Sequence, residues 1–184
     1  MKSLKNFIHE GFKLGKNKVR KTGYKYFPKN TLELKKLIYE ILKNNPNADL
    51  NDIDVSKIED MSYLFTTMDN EGELNPDISE WDVSNVRTME MMFAGLSSFN
   101  CDLSNWDMSN VCSTKYMFYT CTNFDCDLSN WDVSKVEDMR WMFGGCDNFT
   151  GKGLENWDVS NVMSMYQMFI FCKSMKNKPS WYKN

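Results

Sequence analysis

At 184 residues, with 42% hydrophobic residues and a net charge of −3, the chain has room for one packed domain and is too apolar to be disordered. Its apolar runs are only a few residues long, which excludes a transmembrane helix. The basic N-terminus lacks the apolar stretch and small-residue cleavage site of a secretory signal. A cytoplasmic protein is therefore expected, with surface exposure as the alternative.

Charge is unevenly divided. Residues 1–30 carry nine Lys/Arg against one Glu, and the remainder carries 13 against 24 acids, a basic arm on an acidic body. Within the arm, Leu4, Phe7, Ile8 and Phe12 fall on one helical stripe, so a short amphipathic helix is expected over 2–14. It would lie on a membrane surface or dock in a partner groove. Lys13, Lys16, Lys18, Arg20, Lys21 and Lys25, interleaved with Tyr24, Tyr26 and Phe27, form a flexible basic linker spaced to track a phosphate backbone. A solvated tail is the plainer reading. Residues 1–29 are taken as this arm, with nucleic acid or an anionic surface as its partner class.

Residues 30–50 read as an N-terminal cap and lead-in. Asn30 supplies an N-cap, Glu33 follows three residues on, and Pro28 stops structure upstream. Leu34, Leu37, Ile38, Ile41 and Leu42 then fall on one face, predicting a helix over 31–43 that closes the first repeat.

The rest, 51–184, repeats. Trp81-Asp-Val-Ser-Asn-Val86 returns from Trp106, Trp131 and Trp157, at spacings of 25, 25 and 26 residues, with a weaker copy from Ile53. Periods of this size mark stacked units that cannot bury their apolar faces alone. Counting from the last Val or Ile of the motif, apolar residues recur at +3, +6 and +7, as in Met89, Met92 and Phe93, which predicts a short helix. The alternation in Asp102-Leu-Ser-Asn-Trp106 predicts a short strand. The fold class expected is α/β: about five strand-helix coils stacked in a solenoid behind a capping helix. Pro179-Ser-Trp181 reads as the start of a terminal sixth.

Several columns follow from stacking. Cys121, Cys146 and Cys172 recur three residues after the repeat Phe, a small core position. Cys101 and Cys126 lie one period apart, within disulfide reach across rungs about 5 Å apart, so free thiols and a bridge both stay open. The aspartates Asp82, Asp107, Asp132 and Asp158 are expected to accept hydrogen bonds from the following turn rather than to ligate calcium. The tryptophans are expected to stack as structure.

These units resemble the BspA-like leucine-rich repeat proteins, in the subgroup with a Mycoplasma-type repeat of 25 residues, family of unknown function. The residues that carry the likeness are the four Trp-Asp-Val/Met-Ser-Asn/Lys-Val motifs, the Met-Phe pairs after them and the Asp-Leu-Ser at Asp102–Ser104 and Asp127–Ser129. The resemblance implies a leucine-rich-repeat-like solenoid and a binding role, often at bacterial surfaces, and it brings no enzyme activity. The opening Met-Lys-Ser-Leu-Lys-Asn-Phe-Ile also resembles N-termini of some gut-phage proteins, which would place the protein in a host cytoplasm or a virion.

Function is sought where the units differ. At +5 stand Tyr63, Met91, Tyr116, Trp141 and Gln167, on a face that the core does not use; Tyr119, Arg140, Tyr166 and Phe171 flank them. Tyr63, Met91, Tyr116, Tyr119, Arg140, Trp141, Tyr166 and Phe171 are therefore the expected partner-binding residues, against the alternative of groove filling. No catalytic residue, metal site or cofactor is expected: His9 is the only histidine, and there is no glycine-rich phosphate loop. The expected function is non-enzymatic protein binding, as an inhibitor or adaptor of bacterial or phage origin. The alternatives are nucleic-acid or anionic-surface binding through the arm, and a surface adhesin.

Overall fold

The computed structural model describes residues 13–14, 18–19, 23–66 and 71–183. Near the start, β1 (Lys13–Leu14) pairs antiparallel with β2 (Lys18–Val19). The one α-helix among the described residues is α1, Thr31–Leu42. It begins where an Asn side chain can hold the first turn: Asn30 Oδ1 accepts from the Glu33 N–H at 3.0 Å. Its apolar face is fully buried at Leu34, Ile38 and Leu42, and Thr31 Oγ1 donates to the Asp60 carbonyl at 2.6 Å, so α1 sits on the first repeat. The predicted helix at 2–14 lies mostly outside the described residues.

The five repeats stack, but not as strand-helix coils. The chain does not form the expected α/β, leucine-rich-repeat-like solenoid. Beyond α1, β1 and β2, the described residues hold only the 3-10 turns Glu71–Glu73 and Leu154–Asn156. Extended pairing along the stack is limited, among the described residues, to single parallel bridges, Asp49 to Asp77 and Asp60 to Thr88 to Ser113 to Asp138 to Ser164. Two local effects defeat the prediction. The +5 residues Tyr63, Met91, Tyr116, Trp141 and Gln167 all have φ between 51° and 58°, a left-handed conformation that no right-handed helix contains. Where a strand was expected, Asp77, Asp102 and Asp127 accept the N–H of Ser79, Ser104 and Ser129 at 2.9–3.0 Å, closing a turn that competes with strand pairing.

What joins the units is a repeated set of backbone hydrogen bonds. Between the second and third, the N–H groups of Met89, Met91, Phe93 and Gly95 donate to Ser113, Lys115, Met117 and Tyr119 carbonyls at 2.8–3.0 Å. The same four positions, Thr114, Tyr116, Phe118 and Thr120, donate to the fourth unit. The left-handed corners at +5 and +9 turn alternate N–H groups to the same side, toward the next unit. At +9 the residues are Gly95, Thr120, Gly145 and Phe171, with φ of 88°, 59°, 78° and 61°; glycine adopts this conformation without a Cβ penalty, and the other two do not.

The core is an aromatic stack. Phe65, Phe93, Phe118, Phe143 and Phe169 lie 5.3–5.8 Å apart, and Phe99, Phe124 and Phe149 pack beside them at 4.1–4.3 Å. The tryptophans tie one unit to another: Trp81, Trp106, Trp131, Trp157 and Trp181 donate from Nε1 to the carbonyls of Leu50, Ile78, Leu103, Leu128 and Leu154 at 2.8–3.2 Å. A buried indole N–H needs such an acceptor.

Candidate partner-binding face

Because a left-handed residue projects its side chain off the turn, the +5 column stands outside the core. In the third to fifth units it gathers neighbours. The Tyr116 and Trp141 rings stack at 5.8 Å and 9°. Tyr119 meets both edge-on, at 5.4 and 5.7 Å, and Tyr166 meets Trp141 edge-on at 6.3 Å. Gly144 lies beneath. A Cβ there would stand 3.1–3.3 Å from Trp141 Cε3, Tyr119 Cδ2 and Ile170 Cγ2, so the bare backbone lets the rings settle onto it. Trp141, Tyr116 and Tyr119 are half-buried, and Tyr166 is 62% exposed.

Charged groups border the rings. Lys115 Nζ lies 5.7 Å from the Tyr116 ring centroid, near enough for cation–π attraction. Arg140 turns back on Asp138 in a fork, Nε to Oδ1 at 2.9 Å and Nη2 to Oδ2 at 2.5 Å. Burial by itself raises the Asp138 carboxyl, but the Arg140 guanidinium and backbone N–H outweigh it and hold the carboxyl below its ordinary value. Arg140 therefore braces its own turn as much as it faces outward.

The other expected site residues are more scattered. Tyr63 is 45% exposed and Met91 half-buried, in the first two units of the same column and without a ring partner among the described residues. Phe171 is 70% exposed but belongs to the +9 column. Of the arm, Lys16, Arg20 and Lys21 lie outside the described residues, and Lys13 and Lys18 sit in β1 and β2. Lys25 forms an ion pair with Asp52, and the parallel bridge of Tyr26 with Ile53 holds that stretch to the body. Sequence reasoning missed Gly144 and Ile170, although an alignment at +8 carries the signal: Ala94, Tyr119, Gly144 and Ile170 place a glycine between two large residues.

Elsewhere the columns are satisfied by the fold. Asp82, Asp107, Asp132 and Asp158 accept the N–H of Ser84, Ser109, Ser134 and Ser160 at 3.0–3.2 Å. All six cysteines are free, Cys101 and Cys126 included. Cys121, Cys146 and Cys172 donate to the carbonyls of Phe93, Phe118 and Phe143 at 2.9–3.0 Å. Burial pushes the thiols up, Cys101 to about 12 and Cys126 and Cys172 to about 11, so they are poor nucleophiles. An open cleft of about 300 Å³, lined by residues such as Cys101, Asp102, Cys126 and Asp127, thus holds protonated thiols and turn-bound carboxylates. Among the described residues no group of three or more His, Cys, Asp or Glu is placed to hold a metal ion.

Fold and face together define a repeat protein of stacked turns, with an aromatic patch on one side. The family described as "Mycoplasma protein of unknown function, DUF285" matches residues 33–152 and 124–183, and the chain belongs to it. No curated protein and no solved structure matches the chain. Among the described residues no helix is long and apolar enough to cross a membrane.

Proposed function

We propose that this protein is a non-enzymatic protein-binding module, an adaptor or inhibitor acting in the cytoplasm, and that the patch around Tyr116, Tyr119, Trp141 and Tyr166 is its contact surface. The observation that carries the reading is the ring cluster itself. Four aromatic side chains are held together outside the core by left-handed corners and a glycine floor. Rings already fixed by the backbone lose little entropy on binding, and aromatic residues dominate the energetics of protein interfaces. The sequence resemblance to BspA-like proteins supports the same class of role. Six free thiols fit a reducing compartment.

The test is a pull-down from host-cell lysate with the full-length protein and its Trp141→Ala/Tyr116→Ala double variant. A partner held by the first and lost by the second is expected, with the far-UV spectrum of the variant unchanged. Capture that survives the double substitution, and is released by nuclease or high salt, refutes this surface and assigns binding to the basic arm.

A further inference from the structure

The stack has two unlike ends. At the first unit, α1 covers the core and Thr31 holds the Asp60 carbonyl. At the fifth, the four N–H groups that in every fully described earlier unit donate to the next one belong to Met165, Gln167, Phe169 and Phe171. None has an acceptor among the described residues. Their counterparts one unit earlier, Met139, Trp141, Phe143 and Gly145, are all bonded at 2.8–3.1 Å. The tail covers only part of this end: Trp181 stacks on Trp157 at 6.2 Å, and Tyr182 meets Phe169 edge-on at 5.0 Å. Val162 and Met165 are half-exposed where Val136 and Met139 are buried, and Met163 and Phe171 are 78% and 70% exposed. Gln167 Oε1 is buried with no hydrogen-bond partner.

We infer that this end is a docking edge for an acidic peptide of a partner protein, which adds to the stack as one more rung and takes up the rung's own turns. Three features select that occupant. Donors at every second residue need carbonyls at the same spacing, which in the stack come from positions such as Ser113, Lys115, Met117 and Tyr119 and which a peptide supplies when it folds into the same turns. Residues 163–184 contain four lysines and no acid; Lys173 is paired with Asp147, and Lys176, Lys178 and Lys183 favour a negative segment at this end of an otherwise acidic body. The exposed Met163 and Phe171 give apolar side chains somewhere to pack. A second copy fits worse. Two such ends face to face would set donors against donors, and a head-to-tail contact meets α1. The inference is independent of the aromatic patch, although Tyr166 is close to both.

The test uses the ¹⁵N-labelled full chain and a synthetic peptide copying residues 58–66, which has the rung's own acceptor spacing, Glu59 and Asp60, and no cation. With the peptide at about ten times its Kd, exchange of the amides of residues 165, 167, 169 and 171 is expected to slow about tenfold, since only the free fraction exchanges. The amides of residues 139, 141, 143 and 145 stay unchanged. Phe171→Ser and Lys176→Glu weaken binding, and Trp141→Ala/Tyr116→Ala leaves it intact. The inference is overturned by unchanged exchange at the four amides, or by equal slowing with a peptide carrying lysines in place of its two acids. It is also overturned if the peptide is lost only in the Trp141→Ala/Tyr116→Ala variant, which would seat it on the aromatic patch. Protection that grows with protein concentration without peptide makes a second copy the occupant and likewise overturns it.

Discussion

Trp131→Phe tests whether the indole column ties the repeats together. Trp131 is 4% exposed, stacks on Trp157 at 6.2 Å and 3°, and donates to the Leu103 carbonyl at 2.9 Å. Phenylalanine keeps the stacking but removes the donor and one ring. The lost hydrogen bond costs about 1 kcal/mol. The acceptor is not orphaned, because the Leu103 carbonyl also accepts from the backbone N–H of Trp106 at 3.0 Å. The smaller ring gives up roughly 40 Å² of buried surface, about 1 kcal/mol, and leaves a cavity that closes only in part. The expected loss is about 2–3 kcal/mol, which for a chain of this size lowers the Tm by roughly 5–10 °C. Trp181→Phe, in a half-buried residue of the tail, should cost about 1 kcal/mol. Urea unfolding followed by far-UV circular dichroism measures both. A loss below about 0.5 kcal/mol at residue 131, or equal losses at both positions, would refute the ladder as a source of cohesion.

Three further outcomes follow from the turns and thiols. Thr120→Gly, at a φ of 59°, should raise stability by about 0.5–1 kcal/mol because left-handed strain outweighs glycine's added chain entropy; Gly145→Thr should lower it, since a Cβ there stands 3.1 Å from Thr120 Cγ2. Chemical denaturation of the pair against wild type gives both signs. Gly153→Ala should cost about 3 kcal/mol or more, or prevent folding, because a Cβ would lie 2.2 Å from the Ser129 backbone nitrogen; a normal melt would refute the close approach. Stability should be at its full value below about pH 9 and fall as the pH rises toward 11–12. The folded thiols of Cys101, Cys126 and Cys172 keep their protons in that window while unfolded ones ionise. Urea midpoints from pH 7 to 10 should therefore decline, and less steeply in Cys101→Ala.

Much of this was legible in the sequence for a simple reason: stacking makes every buried position recur. The Phe, Trp and Cys columns could be named as core from their spacing, and α1 from Asn30 and the Leu34–Ile38–Leu42 face. The Asp-x-Ser turns followed from side-chain chemistry. What could not be read was the path of the chain between those anchors. Apolar residues at +3, +6 and +7 match a helical face, and the same spacing serves a sequence of turns whose corners point inward. The difference lies in the +5 and +9 backbone. Tyr, Met, Trp and Gln at +5 do not favour the left-handed region, so no propensity announces it. Only Gly95 and Gly145 at +9 gave a hint, and a glycine there also ends a helix.

That same hidden backbone produces the candidate surfaces. A helix would have carried Tyr116, Trp141 and their neighbours on an outer stripe, separated by the width of packed helices. Turns stacked through one set of hydrogen bonds instead bring equivalent side chains to 5.8 Å, so a bulky residue at +5 in successive units becomes a continuous aromatic patch. The corners also aim alternate N–H groups along the stack, which satisfies them within it and leaves a row of donors at its far end. Strain at +5 is thus the common origin of cohesion between units, of the patch beside them and of the unfilled edge. Trp141→Gly would relieve the strain at that corner and remove a ring from the patch, while leaving the hydrogen bond of its N–H to the Tyr166 carbonyl, 3.1 Å long, free to form. A binding surface made this way varies with single substitutions at +5 while the stack that presents it does not change.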